Sequence, residues 1–155
     1  MASPVKPVPE GYHSLTPYLV VHDGHAALEF YARALGAVEL LRIPAPGDKV
    51  GHAEMRIGDS PFMLADENQD MGFKSPKSLG GNATSLLLYV EDVDAAFPLA
   101  VAAGAKVLRP VADHFYGDRA GTLEDPFGHV WTLATHKEDL SPEELARRAK
   151  AFEER

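Results

Sequence analysis

His52 and Glu54 are the two residues whose types and spacing most directly suggest chemistry. They stand two apart in the run Val50 to Ile57, and residues two apart on a strand share a face. An imidazole beside a carboxylate is the pairing of a general base with the group that orients it. Their Cα atoms would lie about 6–7 Å apart, so direct contact depends on the rotamers. The other histidines make weaker sets. His22 and His25 are three apart at a helix start, with no third ligand nearby, and His129 and His136 are seven apart, on opposite faces of a strand. Arg119 offers a fork for a carboxylate or phosphate, with a loop-closing ion pair to Asp118 as the competing role. There is no cysteine, which excludes a thiolate nucleophile, a thiolate metal site and a disulfide framework, and fits a reducing cytoplasm.

The elements that must position these groups follow from periodicity and turn chemistry. Residues 1–12 contain Pro4, Pro7 and Pro9 and read as an extended arm. Tyr18 to Val21 reads as a strand, His25 to Leu35 as a helix stopped by Gly36, and Ala37 to Ile43, Val50 to Ile57 and Pro61 to Ala65 as three strands. The clusters Pro44 to Asp48 and Gly58 to Ser60 supply the turns. This is a βαβββ order over residues 13–66, followed by a long, polar, lid-like linker over 67–82. The order then repeats over 83–137. A strand Thr84 to Val90 and a helix Val93 to Ala103 precede strands Ala105 to Leu108, Arg119 to Leu123 and Val130 to Ala134. Val21-His22-Asp23 matches Val90-Glu91-Asp92, and Leu35-Gly36-Ala37 matches Ala103-Gly104-Ala105, at a nearly constant offset. Residues 138–155 hold a last helix, Pro142 to about Glu153, with Ser141 as N-cap and Glu144 where a capping box wants it. Its stripe of Leu145, Ala149 and Phe152 should rest on the domain or on a partner.

At 155 residues and 45% hydrophobic, the chain has the makings of one soluble domain with a real core. A formal charge of −8 argues against a phosphate-tracking nucleic-acid surface. No run is long and apolar enough for a bilayer span, and the proline-broken N-terminus lacks a signal peptide's apolar stretch. The expectation is a cytoplasmic protein without nucleic-acid or membrane partners.

From Ser14 to His136 the sequence resembles the vicinal oxygen chelate superfamily of glyoxalase I, extradiol dioxygenases and bleomycin- or fosfomycin-directed proteins. Thr16-Pro17-Tyr18-Leu19-Val20-Val21 leading into Ala27-Leu28-Glu29-Phe30-Tyr31 carries the likeness. So do His52 to Asp59, Tyr116 to Arg119 and Asp125-Pro126-Phe127-Gly128-His129-Val130-Trp131. The resemblance implies an α+β fold of two tandem βαβββ modules forming a cupped mixed sheet, with the C-terminal helix added. It also implies a homodimer. Strand alternation then puts Ala53, Met55 and Ile57 in the core and His52, Glu54 and Arg56 toward the cup. Trp131 and Leu133 take core parity, Thr132 and Ala134 cup parity.

Metal-binding members of the superfamily carry His, Glu or Gln at four positions that here match Thr16, Met63, Ser85 and Thr132. Alcohols and a thioether are poor donors for the divalent ions of such sites, so no metal and no cofactor is expected. A shift of alignment at Met63 would bring in Asp66, which alone still makes a weak site. The resemblance therefore leaves a metal-free cup with Thr16, Met63, Ser85 and Thr132 at its floor. His52, Glu54, Arg119, Tyr18, Phe115 and Tyr116 stand around it, suited to an aromatic or carboxylated small organic ligand. The leading expectation is a metal-independent binding protein that sequesters an antibiotic or metabolite. The alternative is a lyase, isomerase or dioxygenase-like enzyme using His52 and Glu54 or an unrecognised metal site.

Overall fold

In a computed structural model that describes residues 3–155, the chain forms two compact units dividing between Gly81 and Asn82. The first contains β1 (Tyr18–Val21), α1 (Gly24–Leu35), β2 (Val38–Ala45), β3 (Lys49–Ile57) and β4 (Ser60–Asp66). Its sheet has the order β1-β4-β3-β2, with β1 parallel to β4 and the other pairs antiparallel. The second contains β5 (Ser85–Tyr89), α3 (Val93–Ala103), β6 (Lys106–Asp113), β7 (Asp118–Glu124) and β8 (Val130–His136). Its order β5-β8-β7-β6 repeats that of the first, parallel pair included. The linker carries a 3-10 turn, Gln69–Met71, and a single-turn helix α2 (Pro76–Leu79); helix α4 (Pro142–Glu153) ends the second unit. This is the α+β fold of two tandem modules that the repeated motifs imply.

Each helix begins where the sequence offers an acceptor. The Asp23 side chain accepts from Ala26 N, and Asp92 accepts from Asp94 N and Ala95 N. Gly36 ends α1 at φ 68°, a left-handed conformation that glycine adopts without a Cβ penalty. Ala27, Leu28, Tyr31 and Ala34 of α1 pack over Ala53, Met55, Phe62 and Leu64 of the sheet, all buried. The alternation expected on β3 holds, as does burial of Trp131 and Leu133 on β8. Ala134, expected on the opposite face, is buried as well.

The last strand of each unit also fixes the start of its helix. Asp66, closing β4, accepts from Gly24 N at 2.9 Å and Val50 N at 2.7 Å. Thr135 on β8 accepts from Val93 N and donates to Val90 O, both at 2.9 Å.

β2 and β6 run further than the sequence suggests, and both cross a proline. β2 continues through Pro44 to Ala45, and β6 continues through Pro110 to Asp113. The pairing register shifts between Ile43 and Pro44 and between Arg109 and Ala112. A residue without an N–H is tolerated where the ladder is already irregular. The first hairpin turn is thus confined to residues 46–48.

The arm also has more structure than an extended chain. Tyr12 N donates to Pro9 O in a turn, and residues 3–11 are exposed; Met1 and Ala2 lie outside the described residues. In α4, Ser141 accepts from Glu144 N as a cap should, but the Glu144 carboxylate bonds Arg147 and Arg148. Those two guanidiniums draw its pKa down to about 2.

Candidate functional site

In the first unit, strand parity places His52 and Glu54 on the face of β3 away from α1. His52 Nε2 lies 3.0 Å from Glu54 Oε2, so the rotamers do bring the pair together. His52 Nδ1 lies 2.8 Å from the Tyr18 hydroxyl at the start of β1, with the rings tilted and their centroids 5.6 Å apart. The other Glu54 oxygen accepts from the Tyr12 hydroxyl, which brings the end of the arm down onto the sheet. Four side chains thus form one series of bonds, Tyr12–Glu54–His52–Tyr18.

Electrostatics fixes its direction. The Tyr12 bond, then the His52 bond, hold the Glu54 carboxyl below its ordinary range against the opposing effect of burial. An ionised carboxylate only accepts, so neutral His52 carries its hydrogen on Nε2 and receives the Tyr18 proton at Nδ1. Burial and the bond to Glu54 push the Tyr12 phenol up to about 12. Burial, then the Glu54 charge, raise the Tyr18 phenol. Both tyrosines are therefore held as neutral hydroxyls.

Tyr18 is 46% exposed and borders a cavity of about 590 Å³. Lys49 of β3 and Met71 and Phe73 of the linker share its wall. Part of the linker over 67–82 thus forms one side of a space that Tyr18 lines. Glu67, at the linker's start, accepts from Ser75, Ser78 and Gln69, which ties the segment down; the Ser75 bond is the largest cause of its lowered pKa.

The second unit holds a similar series that ends differently. The Tyr89 hydroxyl donates to Asp118 Oδ2 at 2.9 Å, and Asp118 Oδ1 lies 2.7 Å from His136 Nδ1. His136 Nε2 meets Asp139 at 2.8 Å. An imidazole between two carboxylates is stabilised as the cation, and its pKa is raised, first by Asp118 and then by Asp139. Where His52 meets a phenol that can exchange a proton, His136 is closed at both ends.

The remaining candidates have definite places. Arg119 forks onto Asp94 with Nε and Nη2 at 3.0 Å and reaches Asp113 with Nη1 at 3.2 Å, so the ion pair with Asp118 is replaced by two others. Phe115 packs on Phe152 of α4, with centroids 5.3 Å apart, and Tyr116 stacks on His114. His25 lies beside Arg42 and Asp48. Met63 is half-buried and in register between Tyr18 and Glu54. Thr16 contacts His13 O, Ser85 is exposed on β5, and Thr132 bonds Thr122 at 2.9 Å.

A family model for the Glyoxalase/Bleomycin resistance protein/Dioxygenase superfamily matches residues 12–133. The chain belongs to this superfamily. An uncharacterized protein of Mycobacterium bovis is 44% identical over 135 residues, which cover 85% of this chain and 89% of that protein. Among solved structures, TioX from Micromonospora sp. ML1 superposes with a TM-score of 0.63 at 26% identity, over 83% of this chain and all of that one. The X-ray structure of an Arabidopsis thaliana gene product gives a TM-score of 0.66 at 30% identity, over 79% and 98%.

Metal-binding members of the superfamily make the fit of a divalent ion a question for these residues. Thr16 and Met63 in the first unit, and Ser85 and Thr132 in the second, offer hydroxyls and a thioether, and Thr132 already shares its hydroxyl with Thr122. Asp66, the nearest carboxylate by alignment shift, is committed to two backbone N–H groups. No three His, Asp or Glu side chains among the described residues are gathered to hold an ion. The donor set does not fit the group.

Two residues escaped the sequence reading. Tyr12 stands at the end of the proline-rich arm, 42 positions from the carboxylate it meets, and no local pattern links them. Asp125 of the DPFGHVW motif accepts from Phe127 N, His129 N and Trp131 Nε1 at 2.9–3.0 Å while 4% exposed. The Asp-Pro-x-Gly turn was the available signal for it.

Proposed function

We propose that this chain is a metal-independent binder of a small, polar, partly aromatic molecule, held at the cavity that Tyr18 borders. The observation that carries the reading is that Tyr18 ends a fully bonded polar series and also lines a space walled by Phe73 and Lys49. Tyr18 and Phe73 offer an aromatic face and an orientable hydroxyl, and Lys49 a cation, to a planar molecule with an acidic or carboxylate group. The two carboxylates that also line the space, Asp66 and Glu67, are engaged by Gly24 N and Val50 N and by Ser75, Ser78 and Gln69. The reading takes sequestration of an antibiotic or metabolite in the cytoplasm as the role. No helix among the described residues is long and apolar enough to cross a membrane. It also takes the protein as a homodimer, a reading supported by Val38, Leu40, Leu41 and Ile43 of edge strand β2, each 43–51% exposed.

Thermal unfolding against a panel of aromatic antibiotics and carboxylated aromatic metabolites tests this, because a ligand of the native state raises its midpoint. The expected result is a midpoint rise with at least one compound that Tyr18→Phe and Lys49→Ala each diminish. A rise unaffected by either variant would move the site elsewhere, and no rise across the panel would defeat the reading.

The 3.0 Å contact of His52 and Glu54 favours a second reading, a lyase or isomerase in which the pair acts as a base and its orienting carboxylate. In that case a bound compound is turned over, and His52→Ala abolishes turnover with the fold intact. Full turnover by the variant would remove His52 from the reaction.

A further inference from the structure

The series Tyr12–Glu54–His52–Tyr18 has two internally consistent proton arrangements. With His52 neutral, Nδ1 accepts from Tyr18, and the Tyr18 oxygen turns lone pairs outward, so its complement is a hydroxyl. With His52 protonated, Nδ1 donates to the Tyr18 oxygen and the Tyr18 hydrogen points outward, so its complement is an oxyanion. These arrangements, each with its complement, contain the same number of protons. A shift of two protons along ligand, Tyr18 and His52 converts one into the other.

The surroundings favour this exchange at His52 and not at His136. His52 is faced by Tyr18 from β1 and by Glu54 on its own strand, and Glu54 also by Tyr12 from the arm. The residues in register on β2 and β4, Ile43 opposite His52 and Leu41 and Met63 opposite Glu54, carry no charge. One carboxylate therefore balances one imidazolium. At His136 two carboxylates hold the proton, and the outer partner is an anion that has none to give.

We infer that Tyr18, His52 and Glu54 form a two-way proton relay that selects ligands with an acidic phenolic or enolic hydroxyl, with Tyr12 as the positioning residue for Glu54. In the step itself the ligand O–H bond breaks as a new O–H forms on Tyr18, while the original Tyr18 O–H breaks and Nδ1–H forms on His52. The products are a ligand oxyanion facing the Tyr18 hydroxyl and an imidazolium bonded to Glu54, and nothing is oxidised or reduced. The inference rests on the reading of the Tyr18 cavity as the binding site.

The test uses 4-nitrophenolate as probe, with 4-nitroanisole as a probe of the same shape without the ionisable hydroxyl. Binding to the full chain is measured by calorimetry in two buffers of different ionisation heat, at about pH 8, above the ordinary histidine value of about 6.5. The relay requires 4-nitrophenolate to bind with uptake of about one proton, because the oxyanion needs the imidazolium form. Nitroanisole should bind with none. Tyr18→Phe and His52→Gln should each remove the uptake, with circular dichroism reporting the fold of both. Tyr12→Phe should retain uptake but move its midpoint to higher pH, since Glu54 with one donor fewer attracts the imidazolium more strongly. Binding of 4-nitrophenolate without uptake would overturn the relay and leave the binding site standing. Uptake that survives both Tyr18→Phe and His52→Gln would also overturn it. Failure of both probes to bind would overturn the relay together with the site on which it rests.

Discussion

His52 Nε2 and Glu54 Oε2 meet at 3.0 Å although they project from alternate positions of one strand. Each partner is held from its far side, His52 by Tyr18 on β1 and Glu54 by Tyr12 from the arm, and these bonds fix the two rotamers. The parallel pairing of β1 with β4, in register at Tyr18 and Met63, sets Tyr18 where that bond forms. The site's geometry thus follows from sheet order and one clasp by the arm.

Removing the clasp should loosen the arm before it loosens the fold. Tyr12→Phe deletes a bond to a charged group, worth about 1–2 kcal/mol at a partly exposed position. Limited proteolysis should cut the variant N-terminal to residue 12 faster than the native chain, with a small fall in Tm. Unchanged cleavage would mean that the Tyr12 bond does not hold the arm.

His136 predicts a pH dependence of opposite sign to the usual acid loss. Its folded pKa is raised, so its contribution is complete below the unfolded value of about 6.5 and is lost as pH rises through the folded value. Tm scans from about pH 5 to pH 9 should show a decline on the alkaline side that Asp139→Asn moves to lower pH. A variant with the same profile as the native chain would rule out the His136–Asp139 pair as its source.

Asp125 should matter more than its turn position suggests. Asp125→Ala leaves two backbone N–H groups and the Trp131 indole without their acceptor in a buried place, a cost of about 3 kcal/mol or more. Trp131 is the chain's one tryptophan, so fluorescence reports the change directly. Chemical denaturation should show the loss, and an unshifted midpoint would contradict it.

Gly24 illustrates close approach. A Cβ there would lie 2.7 Å from both Asp66 Oδ2 and Val50 Cβ, so Gly24→Ala must displace the β4 end from the start of α1. The expected cost is about 1–3 kcal/mol by overpacking, read in the same denaturation assay. Native stability in the variant would show that this junction yields freely.

Much of the fold was legible because it is written in local patterns. The ends of β1, α3 and α4 follow from β-rich composition, an apolar run bounded by Glu91-Asp92 and Gly104, and a Ser-Pro start, and the core face of β3 from simple alternation. The extensions of β2 and β6 were not legible, because Pro44 and Pro110 read as strand breakers until the irregular register that accommodates them is known. At the site, sequence placed His52, Glu54 and Tyr18 among the candidates but could not order them. Their order depends on Tyr12, which meets Glu54 only through tertiary folding. Arg119 shows the converse, since its partner Asp94 lies on a helix 25 positions away and the neighbouring Asp118 is drawn off by Tyr89 and His136.

The direction of the bonded series is open to one direct measurement, nitrogen-15 NMR of the His52 ring in the ligand-free protein at about pH 9, where an ordinary imidazole is neutral. Proton attachment at Nε2, with Nδ1 as a hydrogen-bonded acceptor and the Nδ1 signal altered by Tyr18→Phe, is the predicted result. A ring protonated at Nδ1 instead would reverse every donor and acceptor from Glu54 to Tyr18 and contradict the account.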